Sequence, residues 1–127
     1  MSSVELIKKF YIAFKNKDEQ TYLELCHDDI EWQTTEGMVN GGKYIGKKEV
    51  FGNYFPKMLS NFKEFHAIPE EFLDLKEYVT IIGRYQGVSK KDTKIDIPFA
   101  HVCRIQEGKI VQFRQFTDTR MIQDSLS

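Results

Sequence analysis

The chain has 127 residues, the length of one domain over 1–127, and a chain of this size buries roughly two-thirds of its unfolded surface, enough for a core with a cavity in it. Hydrophobic residues make up 41% and charged residues 29%, which excludes a disordered chain. The net charge of -1, from 18 basic and 19 acidic residues, gives no basic excess for a phosphate backbone, so no nucleic acid partner is expected.

Ser2 and Glu5 have the spacing of a capping box, and Val4, Ile7, Phe10, Tyr11 and Phe14 follow at helical spacing. Asp18 is placed to cap a second short helix carrying Tyr22, Leu25 and Cys26. Ile30 to Thr34 then alternates like a strand. Gly37, Gly41, Gly42 and Gly46 mark a long loop, with a short hairpin through Lys43-Tyr44-Ile45. A third helix is predicted after Gly46, with apolar positions from Val50 to Phe62, kinked or divided by Pro56. The remainder is strand-like: Phe65 to Leu75, bent at Pro69, then Tyr78 to Val88, Lys94 to Gln106 and Lys109 to Asp118. A short helix over Thr119 to Leu126 closes the chain. This order predicts an α+β fold, with helices packed on one face of a curved antiparallel sheet.

The turn at Gln106-Glu107-Gly108 decides which side chains face the core. A two-residue turn on Glu107-Gly108 sets His101 opposite Arg114 and Cys103 opposite Gln112. A three-residue loop with Gly108 in a left-handed bulge sets Cys103 opposite Val111, His101 opposite Phe113, and Phe99 against Gln115. The second register keeps one face apolar and is preferred, because a one-residue slip would turn the other face inward. It puts His101 and Gln115 on the buried face, one pair short of directly opposite. Arg104, Gln112, Arg114 and Asp118 then point outward.

His101 lies on an otherwise apolar strand face, within Pro98 to Cys103. A buried imidazole needs a partner for each ring nitrogen. It is either a bonded core histidine or a donor lining a cavity, with Gln115 and Trp32 as companions. The phenols of Tyr11 and Tyr54 are candidate donors that also fit the core edge. Other chemistries fail on their details. Gly37 to Lys43 matches G-x-x-x-x-G-K, but Tyr44 follows where a hydroxyl should bind magnesium, and no helix begins at Lys43. His27, Asp28, Asp29 and Glu31 lack converging ligands, so no metal is expected. No G-x-S-x-G elbow exists. Cys26 and Cys103 form no CxxC, no leader is read at the start, and no apolar run approaches about 18 residues. The expectation is a cytoplasmic chain with reduced thiols and no membrane contact.

Phe10 to Phe14 with Asp18, Asp28 to Trp32, Gly42 to Gly46, His101-Val102, Gly108 to Val111 and Arg114 to Thr119 together resemble the SnoaL-like proteins. These are the polyketide-cyclase branch of the superfamily of ketosteroid isomerases and nuclear transport factor 2. The resemblance covers nearly the whole chain. It implies a cone in which helices close over a curved sheet around a deep pocket, paired as a dimer through the sheet. It implies reaction only weakly, because the fold hosts isomerases, cyclases, hydrolases and binding subunits. Thr34 falls where ketosteroid isomerases carry an aspartate base. Phe10, next to Tyr11, falls at their oxyanion-hole tyrosine, and His101 replaces their protonated acid. Polyketide cyclases carry a histidine at the position of His101, but their acid/base aspartate corresponds to Gln115.

The resulting expectation is a pocket for a small, largely apolar molecule. Tyr11, Trp32, Thr34, Tyr54, Met58, Phe99 and Phe113 would line it, and His101 and Gln115 would orient a carbonyl or hydroxyl. If the protein is an enzyme, isomerase- or cyclase-like enolisation would run through His101, with Gln115 as a positioning amide and no cofactor. The competing reading is a non-enzymatic dimeric binding or assembly module. Arg104, Gln112, Arg114 and Phe116 would form its paired face.

Overall fold

The computed structural model describes residues 1–127. Helix α1 (Ser3–Lys15) starts where the Ser2 side chain accepts the Glu5 N–H, and it buries Leu6, Ile7, Phe10, Tyr11 and Ala13. Asp18 caps α2 (Glu19–Glu24) through the Thr21 N–H. Cys26 is not the end of that helix. It opens β1 (Cys26–Gln33), which begins four residues before the predicted start. The strand pairs at Cys26, arches away over His27 to Asp29, and resumes pairing at Glu31. β2 (Lys43–Ile45) adds antiparallel to β1.

The third helical stretch runs through α3 (Lys47–Glu49), a π-helical turn (Val50–Tyr54) and α4 (Phe55–Leu59). Pro56 has no N–H to donate, and its ring crowds the carbonyl one turn back. The helix widens just before it, so the Phe55 N–H reaches the Val50 carbonyl five residues away. Phe62, predicted to end this helix, instead opens β3 (Phe62–Leu75) and is buried there. A register shift between Pro69 and Glu71 takes up the predicted bend. β4 (Tyr78–Ser89), β5 (Lys94–Gln106), β6 (Lys109–Thr117) and α5 (Thr119–Ser125) complete the chain, with Asp118 capping α5.

The six strands form one sheet in the order β2-β1-β6-β5-β4-β3. Only β1 and β6 run parallel. α1 and α4 pack on one face of this sheet and enclose a continuous core of 24 buried residues.

The β5–β6 register corrects both sequence-derived alternatives. Gln106 pairs with Lys109 across a two-residue turn, with φ of 50° at Glu107 and 74° at Gly108. Two successive positive φ values make the tight mirror-image turn that suits strand twist. A bulge then intervenes: Ile105 faces Ile110, but Arg104 faces Gln112. Cys103 therefore lies opposite Phe113 rather than Val111, and Phe99 lies opposite Thr117 rather than Gln115. His101 is directly opposite Gln115. The cause is visible in burial, since Ile110 and Phe113 are both buried although an odd number of residues apart. A regular strand would send them to opposite faces, and one extra residue brings both inward.

Glu107 carries a side chain at a left-handed position where asparagine is favoured. Glu107→Asn is expected to stabilise the fold by about 0.5–1 kcal/mol. Urea unfolding curves would show this as a higher midpoint at unchanged slope, and a lower midpoint would contradict the turn assignment.

Candidate functional site

His101 sits in the middle of β5 on the face covered by the helices, and both of its ring nitrogens are bonded to phenols. Nδ1 lies 2.5 Å from the Tyr11 hydroxyl, which comes from α1. Nε2 lies 2.6 Å from the Tyr85 hydroxyl, which comes from the neighbouring strand β4. The Gln115 side-chain amide on β6 donates to the same Tyr85 hydroxyl at 2.9 Å. The chain Tyr11–His101–Tyr85–Gln115 thus links a helix to three adjacent strands. Its members are buried, with His101 3% and Gln115 4% exposed.

Tyr85 was not among the sequence candidates. Its signal was present in the alternation of β4, where Val79, Ile81 and Tyr85 share one face two and four residues apart. Trp32, expected beside the imidazole, reaches it only through Phe113. The Trp32 and Phe113 rings stack at 3.8 Å, and Phe113 lies 4.7 Å from His101. Phe99 covers the imidazole at 3.9 Å and nearly parallel. Rings continue from Trp32 to Phe51 and Phe55 on one side, and from Phe99 to Tyr85 and Phe65 on the other. Tyr54 and Met58 are buried in the helical wall, and Tyr54 packs against Tyr44. Thr34 turns its hydroxyl to the backbone of Gly42, accepting its N–H at 2.8 Å and so fastening the loop before β2. Thr35 fixes the end of β1 to β6, donating to the Gln115 carbonyl and accepting the Thr117 N–H.

The electrostatics of this group follow from burial. With no charge nearby to help the imidazolium, burial pulls His101 down from 6.5 to about 3. Burial pushes the Tyr11 phenol well up, and the Cys103 and Tyr85 groups add to the shift. Tyr85 is also raised by burial, with the Gln115 hydrogen bond opposing it. Burial holds Cys103 as a thiol and takes Cys26 up to about 12. The site is therefore a neutral network at physiological pH.

Two neutral phenols and one neutral imidazole carry three polar protons, but only two bonds join them. One proton is left over whichever way the bonds run. At the other end, Gln115 Oε1 is buried and has no partner among the protein's groups. A cavity of about 30 Å³, lined by Gln33, Thr34, Arg114, Gln115 and Phe116, lies beside that residue. The larger concavity, about 590 Å³, opens elsewhere. It lies at the β1, β5 and β6 side chains His27, Glu31, Arg104, Lys109 and Gln112, on the sheet face away from His101. No group of three or more His, Cys, Asp or Glu side chains is placed to hold a metal ion. No helix is long and apolar enough to cross a membrane.

Solved structures place this architecture among the NTF2-like proteins. An NTF2-like protein of Burkholderia thailandensis is 25% identical, with a TM-score of 0.93 over 100% of this chain and 98% of that one. TerC, co-crystallised with polyporic acid, is 23% identical, with a TM-score of 0.89 over 97% and 96%. A putative SnoaL-like polyketide cyclase of a Jannaschia species is 13% identical, with a TM-score of 0.82 over 98% and 90%. No curated protein matches the chain. The SnoaL-like domain model matches residues 7–113, and the chain belongs to that family.

The unfolded chain protonates His101 near 6.5, whereas the folded chain does so only near 3. Stability from this group is therefore complete above about pH 6.5 and falls as pH drops toward 3, by at most about 1.4 kcal/mol per pH unit. Urea melts of wild type and His101→Phe across that window should show the variant with the flatter pH dependence. The variant should also be less stable at neutral pH, because Tyr11 and Tyr85 lose their shared partner. Parallel pH profiles would contradict the neutral buried imidazole.

Proposed function

We propose that this protein binds a small, largely apolar molecule whose one polar end meets the Tyr11–His101–Tyr85–Gln115 network. The observation that carries this reading is the mismatch in that network: a surplus phenolic proton and an unpartnered, buried amide oxygen. Buried polar groups that serve only structure are normally satisfied within the fold. Here a donor and an acceptor are held ready in an aromatic surrounding of Phe99, Phe113 and Trp32. Access requires an outward shift of the helical wall, in which the Val50–Tyr54 turn departs from α-helical bonding. The polyporic acid with which TerC was co-crystallised, and the polyketide cyclase description of the Jannaschia protein, agree with a small-molecule ligand.

Binding is favoured over proton-transfer catalysis. Every member of the network is held neutral, and no carboxylate is bonded to it. Native mass spectrometry of gently purified protein should reveal a co-purifying small molecule, and Tyr11→Phe should lower its occupancy at least tenfold, about 1.4 kcal/mol. Equal occupancy in the variant would show that the network does not contact the ligand.

The opposite face supports a second reading, a dimer through the sheet. Its concavity carries Asp29 and Glu31 together with Arg104 and Lys109, both signs on one patch, as a self-complementary two-fold contact needs. Arg104 Nε is buried there without a partner, and Phe116 is 41% exposed on β6. Light scattering at high micromolar concentration should give a dimer for wild type and a monomer for Phe116→Glu. A monomeric wild type would refute the dimer and leave the ligand reading intact.

A further inference from the structure

We infer that Gln115 sets the direction of the whole buried hydrogen-bond chain, and thereby makes the Tyr11 hydroxyl a free donor that selects a ligand bearing a carbonyl-type acceptor. The inference rests on the binding reading above and specifies the chemistry of its ligand.

The direction follows from proton counting. The Gln115 amide nitrogen donates to the Tyr85 oxygen at 2.9 Å. With that oxygen already accepting, the Tyr85 proton points at its other neighbour, His101 Nε2, 2.6 Å away. Nε2 is then the acceptor of the neutral ring, so the ring proton sits on Nδ1. Nδ1 donates to the Tyr11 oxygen at 2.5 Å, and the Tyr11 proton is the one left over. Tyr11 is the one member of the chain carried by a helix, so the surplus donor sits where α1 meets the sheet.

Turning the amide round would reverse every link. Tyr85 would donate to Gln115, His101 would donate from Nε2, and Tyr11 would donate to Nδ1. The Tyr11 hydroxyl would then offer only a lone pair, both amide protons of Gln115 would be without acceptors, and the bond from its amide nitrogen to Tyr85 would be lost. One amide on β6 thus fixes the polarity of a hydroxyl on α1, through two intervening groups. Gln115 is a positioning residue in this scheme. It makes no side-chain hydrogen bond to Tyr11 or to His101.

Long-range proton–nitrogen NMR of His101 reads the tautomer directly. In wild type at neutral pH, Nδ1 should give the shift of a protonated nitrogen and Nε2 that of a bare one. Gln115→Glu, once its carboxyl ionises as pH is raised, can only accept from Tyr85, and the two assignments should exchange. Gln115→Met keeps the shape without hydrogen bonding, and the two nitrogen shifts should move toward each other. It serves if the glutamate variant does not fold. A wild-type ring protonated on Nε2, or a tautomer unmoved in whichever variants fold, would overturn the inference.

Acetophenone and ethylbenzene, which share shape and differ in one carbonyl, test the ligand class by titration against the same His101 signals. The ketone should bind wild type about tenfold more tightly than the hydrocarbon, and Tyr11→Phe should erase the difference. Equal affinities in wild type would overturn acceptor selection. If neither compound binds while the tautomer behaves as stated, the binding reading and the ligand class fall together, and control of the ring by Gln115 stands.

Discussion

The extra residue in β6 between Ile110 and Gln112 governs everything that follows it in the chain. Without it, Ile110 and Phe113 could not both enter the core, and the face presented beyond them would be Gln112, Arg114 and Phe116. With it, Phe113 stacks on Trp32, His101 meets Gln115 across the ladder, and Arg114 is carried outward. A single unpaired residue therefore decides whether the core contains a neutral hydrogen-bonded network or the buried guanidinium group of Arg114. The second arrangement would be prohibitively costly without counter-charges.

The network itself joins elements that are remote in sequence. Tyr11 and His101 are 90 positions apart, and Tyr85 and Gln115 are 30 apart. Its hydrogen bonds can form only once α1 has docked on a sheet whose central strands are in register. Apolar contacts alone would tolerate some sliding of α1 over the aromatic surface. Two phenols bonded to opposite nitrogens of one imidazole would not, because any slide leaves buried polar groups without partners. The polar chain thus fixes the position that the hydrophobic contacts stabilise.

Much of the architecture was legible in the sequence, for physical reasons. Helix caps at Ser2 and Asp18 are local, one-residue signals, and both appear as read. The alternation in β5 placed Phe99, His101 and Cys103 on one face correctly because a strand's period is two. Parity also put Gln115 on that face, although the register itself was wrong. Bulges are the reason: they change pairing without changing composition, and the spacing of Ile110 and Phe113 was the available clue. The site was only half legible. His101 and Gln115 stood out as polar residues on apolar faces. Tyr85 did not, because a tyrosine among Val79 and Ile81 looks like ordinary core until its hydroxyl is seen to have partners. The helix boundary at Phe62 failed because an apolar residue there serves a helix or a strand equally well.

β3 ends the sheet, so one side of a strand fourteen residues long has no neighbour to bond with. Such a backbone can recruit a strand from another chain and grow into an aggregate. This strand is poorly suited to that. Pro69 removes a donor, the register shift up to Glu71 bends the strand, and Lys63, Glu64, Glu70, Glu71 and Asp74 are spread along it. A second chain adding there would have to follow the bend and bring its own ladder up against several carboxylates. Those features oppose open-ended growth along the sheet edge, because an added strand would have to match both the bend and the charges.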